Sequence, residues 1–123
     1  MNKKQQQIAI AKACGWRKMK APKKLGFGAS APDKCWYFIH QLPDYLNDLN
    51  AMHEAEKSLN LDQKRKHAWI LTQLLNNFTV WLPDEYESLS CWDMSLHDIS
   101  ACLAATAAQR AEAFLRTLNL WTE

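Results

Sequence analysis

The sequence predicts a single α+β domain, with a short sheet near its N-terminus followed by several amphipathic helices. Three observations predict it. The chain has 123 residues, 48% hydrophobic and 11% aromatic, which suffices for one core and not for two. Residues Cys35-Trp36-Tyr37-Phe38-Ile39 form an apolar, aromatic-rich run of strand length. From Leu42 onward, apolar residues recur mostly at helical spacing. With only three glycines and four prolines, the composition is that of a folded chain and not of a low-complexity one.

Residues 3–14 read as a helix: Gln5, Gln6, Gln7, Ala9, Ala11, Lys12 and Ala13 are helix formers, and Gly15 is placed to close the last turn. Between Trp16 and Ile39 the helical period disappears, and Pro22, Gly26, Gly28 and Pro32 punctuate the chain. Two or three short strands are expected between residues 16 and 40, Cys35–Ile39 among them, with a turn at Ser30-Ala31-Pro32-Asp33. Leu42-Pro43-Asp44 reads as a helix start, because proline suits the first helical position and aspartate the positive end. Tyr45, Leu49, Met52 and Leu59 then share a face, flanked by Leu46 and His53, so that residues 43–58 form an amphipathic helix. Asp62 is expected to cap a further helix with Trp69, Ile70, Leu71, Leu74 and Leu75 on its apolar face, stopped by Asn76-Asn77. Phe78 to Leu82 reads as a short strand ended by Pro83, residues 83–97 follow neither period, and Ser95–Leu103 reads as a short helix. Thr106-Ala107-Ala108-Gln109 fits the capping box that opens the last helix. Its apolar stripe is Ala107, Ala111, Phe114, Leu115 and Leu118, while Arg110, Glu112 and Arg116 are expected to face water.

The net charge of +2 conceals a strong separation. Residues 1–34 carry nine basic side chains against one acid, or +8, and residues 35–123 carry six against twelve, or −6. Within the basic third, Arg17, Lys18, Lys20, Lys23 and Lys24 fall inside eight residues, the clustering that phosphate binding needs, and Trp16 and Phe27 nearby are candidates for stacking on bases. The ordinary alternative for such a run is a solvated surface. The signatures of helix-turn-helix, RNP and zinc-finger modules are missing. No apolar run approaches the length of about 18 residues that a bilayer span requires. Lys12 interrupts the short apolar stretch of the N-terminus, which makes a poor signal peptide. The expectation is a soluble protein of the cytoplasm without a membrane partner.

Other chemistry finds little support in the residue pattern. The four cysteines, at 14, 35, 91 and 102, contain no Cys-x-x-Cys pair, so reduced and mostly buried thiols are expected in place of a metal site. Among the four histidines, His53-Glu54 superficially matches the zinc-protease motif, but Lys57 stands where the second histidine belongs. Gly26-Phe27-Gly28 is too little for a nucleotide loop, and no nucleophile elbow exists. No enzyme activity and no cofactor are therefore expected. Of six tryptophans, most should be core, with Trp81, Trp92 and Trp121 the candidates for an oligomer or partner surface.

Three segments carry a resemblance: Ala13-Cys14-Gly15-Trp16, the run from Leu42 to Lys57 (LPDYLNDLNAMHEAEK), and the run from Ala105 to Leu118 (ATAAQRAEAFLRTL). Together and in this order they resemble small phage and prophage proteins with the phage ABA-sandwich domain. The resemblance covers roughly a third of the chain. It implies a small layered α/β/α-type fold and an origin in a phage or prophage genome. It carries over no catalytic residues, because the family's members are largely of unknown function. The recurring segments are those read above as core helices, which assigns them to the scaffold and leaves individual function to the Lys-rich and Trp-rich remainder.

The functional expectation is thus a non-enzymatic phage accessory protein that binds a host macromolecule in the bacterial cytoplasm. Inhibition of a bacterial defence system is its most specific version, with a host protein as partner and a homo-oligomer as a further possibility. The alternative is a nucleic-acid or nucleotide binder that uses Trp16, Arg17, Lys18, Lys20, Lys23 and Lys24.

Overall fold

The computed structural model describes residues 1–20, 34–75 and 101–123. Their elements are α1 (Lys3–Ala13), β1 (Arg17–Lys18), β2 (Cys35–Trp36), a 3-10 turn (Ile39–Gln41), α2 (Leu49–Glu56), α3 (Leu61–Leu75) and α4 (Ala107–Thr117). The two strands pair in parallel, Arg17 opposite Cys35 and Lys18 opposite Trp36. The class is α+β, as the sequence predicts.

Helix ends are closed by side chains the sequence supplies. At the start of α1, Asn2 Oδ1 accepts from the Gln5 amide at 2.8 Å and Gln5 Oε1 accepts from the Asn2 amide at 2.9 Å, a capping box. Thr106 and Gln109 make the box expected for α4, at 3.2 and 2.9 Å. Both helices end in the same six-residue closure. At α1, Gly15 (φ +93°) donates to Lys12 O and Trp16 to Ala11 O, at 3.1 and 2.9 Å. At α4, Asn119 (φ +59°) donates to Arg116 O and Leu120 to Leu115 O, at 3.2 and 2.8 Å. The left-handed conformation is free for glycine and tolerated by asparagine, which explains these two residue types.

The core of the described residues is organised around α4, which touches α1, α2 and α3. On one side Ala107, Ala111, Phe114 and Leu115 pack with Ile10 and Ala11 of α1, Met52 and Ala55 of α2, and Trp36, Leu42, Tyr45 and Leu59. On the other, Ala113 packs with Ala105 and with Ile70 and Leu71 of α3. A helix enclosed in this way has little solvent face. Arg110, expected in water, is accordingly buried, and Glu112 and Arg116 are half-buried and paired with each other.

Three other expectations shift. The second helix begins at Leu49 and not at Pro43, because Asp48 is the stronger cap: its carboxylate accepts from the Asn50 and Ala51 amides. Residues 43–48 instead form a turn, in which Asp44 O accepts from the Asp48 amide at 2.8 Å and the Asp44 carboxylate from Asn47 Nδ2. As a result Tyr45 and Met52 are buried, while Leu49 and His53 are exposed. The strand expected over 35–39 stops after Trp36, because Gln41 Oε1 accepts from the amides of Tyr37 (2.7 Å) and Phe38 (3.0 Å) and bends the chain into the 3-10 turn. The cap of α3 is Asn60, which exchanges hydrogen bonds with Gln63 at 2.8 and 2.9 Å, and Asp62 lies in the first turn.

On α3, Ile70 and Leu71 are buried, with Trp69, Leu74 and Leu75 partly so, as expected. Residues 101–103 are helical. The turn at 30–33, the stop at Asn76-Asn77, the strand at 78–82 and the first part of the 95–103 helix lie outside the described residues.

Candidate functional site

The predicted binding residues gather at the sheet. Arg17 and Lys18 form β1 itself, and both are exposed, as is Lys20 just beyond it. The strand is held by its backbone: Arg17 N–H donates to Lys34 O at 3.0 Å and Met19 N–H to Trp36 O at 2.8 Å. Lys18 lies over the ring of Trp36, its Nζ 5.4 Å from the centroid, so one face of the buried indole holds a cation in place. Lys34, in the left-handed region at φ +54°, donates from Nζ to Cys14 O at 3.1 Å and brings a further cation to the end of α1. Trp16 is half-buried and packs against the core, so it is a structural neighbour of the basic strand more than an open stacking face. Lys23 and Lys24 lie outside the described residues.

One pair of side chains on this rim was not singled out in the sequence. Phe38, 48% exposed, stacks on exposed His40, with ring centroids 5.7 Å apart and planes within 6°. The bend imposed by Gln41 turns Phe38 outward. The signal was there in part: Trp36, Phe38 and His40 alternate, but an apolar run of this length reads as a buried strand.

Two polar clusters lie beneath the rim. In the first, the Cys14 thiol meets the hydroxyls of Ser58 and Tyr45; burial pushes the thiol pKa up, opposed by those hydrogen bonds and by Lys34. Burial also raises the Tyr45 hydroxyl well above its ordinary value, helped by Cys14. Both stay protonated at neutral pH, which leaves Cys14 a weak nucleophile. In the second, Arg110 Nη1 contacts both carboxylate oxygens of Glu56 at 3.2 and 3.1 Å, and its Nη2 donates to Cys102 O at 2.6 Å. Buried His67 lies against this pair. Desolvation lowers its pKa, partly offset by Glu56. Among the described residues, its Nε2 and the Arg110 Nε have no hydrogen-bond partner. Glu56, His67 and Arg110 join α2, α3 and α4.

The thiols follow expectation in part: Cys35 is buried, Cys14 and Cys102 half-buried, and all three are free. Trp121, a candidate for a partner surface, instead packs against the core beneath Arg116, whose guanidinium carbon is 5.0 Å from the ring centroid. Trp81 and Trp92 lie outside the described residues. Among the described residues no group of three or more His, Cys, Asp or Glu side chains could hold a metal ion. No helix of the described residues is long and apolar enough to cross a membrane. No family model, curated protein or solved structure matches the chain.

Proposed function

We propose that this protein is a non-enzymatic phage or prophage accessory protein that binds a macromolecule of its bacterial host in the cytoplasm, inhibiting a defence system in the most specific version. The observation that carries the reading is the exposed basic strand: Arg17, Lys18 and Lys20 stand in water at the edge of a closed helical core. The phage origin rests on the three resembling segments. Their packing supports assigning them to a scaffold, since Cys14 and Trp16, Tyr45, Met52 and Ala55, and Ala111 and Phe114 meet in one core. The test is capture from phage-infected bacteria with the wild-type chain and an Arg17→Glu/Lys18→Glu/Lys20→Glu variant. A partner held by the first and lost by the second is expected, together with restored plating of a defence-sensitive phage. Identical capture by both chains would overturn the assignment of the surface.

The second reading, nucleic-acid or nucleotide binding by the basic third, is favoured by Lys18 being held over Trp36 with Arg17 and Lys20 beside it. Affinity that falls steeply with salt is its expected mark.

A further inference from the structure

The rim combines two features that different partners would use differently. Cations alone suit any polyanion, whether a duplex, a single strand or an acidic protein face. An exposed aromatic pair beside them is more selective. Phe38 keeps nearly half its surface in water although buried positions lie next to it in the chain at Trp36 and Leu42. Its backbone is fixed, with its amide and that of Tyr37 on Gln41 Oε1 and its carbonyl accepting from the Gln41 amide at 2.9 Å. The ring and His40 thus form a preorganised stack of two parallel rings, to which a further flat ring can add. The strands stay paired up to the Met19–Trp36 hydrogen bond, so Lys20 leaves the pair where Phe38 turns outward.

A duplex keeps the faces of its bases inside the stack, and an acidic protein face does not pair each of its charges with a ring to lay on Phe38. Among polyanions, an unpaired strand offers phosphates and bare base faces together, repeated along its length so that several cations and a ring can be engaged at once. We propose that this surface binds single-stranded nucleic acid, with Phe38 and His40 as a base-stacking platform and Arg17, Lys18 and Lys20 as phosphate contacts. This rests on reading the basic strand as a contact surface, and it names the partner.

The experiment is fluorescence anisotropy with labelled oligothymidylate and oligouridylate of about a dozen nucleotides, within the site size of single-strand binders. A duplex of equal length and polyglutamate serve as competing probes, each from low to high salt. Both single strands should bind more tightly than the duplex, with a log–log salt slope of about −2 for three neutralised phosphates. Phe38→Ser should weaken single-strand binding about tenfold, the loss of one stacked base, without changing the slope, and Phe38→Trp should restore it. Arg17→Gln/Lys18→Gln/Lys20→Gln should flatten the slope. Unchanged melting curves would show that these variants fold. Equal affinity for duplex or polyglutamate, indifferent to Phe38→Ser, overturns the single-strand inference and leaves the basic contact surface standing. Absence of binding to every polyanion at low salt overturns the inference, while the capture experiment still decides whether the surface holds a protein.

Discussion

The helical core and the basic rim follow opposite rules, although they adjoin at Trp36. In the core, α4 is enclosed by α1, α2 and α3, and even its Arg110 is paired and buried. On the rim, cations stand in water on a strand of two residues, beside an aromatic pair left outside. The same contrast appears within α2. Glu54 pairs with Lys57 at 2.7 Å where both side chains are 71% exposed, whereas Glu56, two residues on, pairs with Arg110 at 9% and 18% exposure. Charge in the sequence is therefore ambiguous. Only the position of the residue relative to a neighbouring element decides whether it builds the fold or faces a partner.

The largest effects should come from the core. Phe114→Ala removes the largest fully buried side chain among the described residues and should cost about 4 kcal/mol in urea unfolding, in the range for such truncations. Arg110→Ala leaves the largely enclosed Glu56 without its partner and should cost about 3 kcal/mol. The double change Arg110→Met/Glu56→Leu should recover most of that loss, since the cost lies in the orphaned charge. By contrast Glu54→Ala should leave the melting temperature unchanged, because its pair is held in open solvent. Equal losses at Glu54 and Glu56 would remove the distinction between the two pairs.

What the sequence disclosed divides along the same line. The capping residues of α4, the closing Gly15 and the apolar positions Met52, Ile70, Leu71, Ala111 and Phe114 were legible, because local propensity and periodicity agree with the final packing. Arg110 was misplaced because periodicity finds one apolar stripe, and a helix packed on two sides has two. The start of α2 was misplaced because proline and aspartate at 43–44 suit a turn as well as a helix, and the stronger cap lies at Asp48. On the rim, the clustering of Arg17, Lys18 and Lys20 was evident from spacing alone. The outward turn of Phe38 was not, since it depends on the Gln41 side chain reaching back to two amides.

Intermediate effects test how far the core's polar groups share its character. Burial lowers the His67 pKa from the ordinary 6.5, so the unfolded chain takes up its proton first as pH falls. Stability should therefore be full above 6.5 and decline as pH drops from there toward the folded value. Urea unfolding at pH 7.5 and pH 5.5 checks it, and His67→Phe should flatten this part of the dependence. Thr106→Ala, which opens the capping box of α4, should cost about 1 kcal/mol.

The smallest effect is the most telling for the comparison. Lys18→Gln removes the ammonium held 5.4 Å from the Trp36 centroid while keeping most of the alkyl stem. A cation over an exposed aromatic face is worth about 0.5–1 kcal/mol, so the loss of stability should not exceed that. Trp36 is itself buried, however, and shares the core with Phe114. If the cation served to seal that indole, the cost would rise toward that of a core truncation, and Lys18 would belong to the scaffold. A cost within the exposed range, together with weakened polyanion binding, places Lys18 with Arg17 and Lys20 as a group kept for a partner. Acrylamide quenching of the folded variant separates the two, because a breached core admits quencher that a closed one excludes.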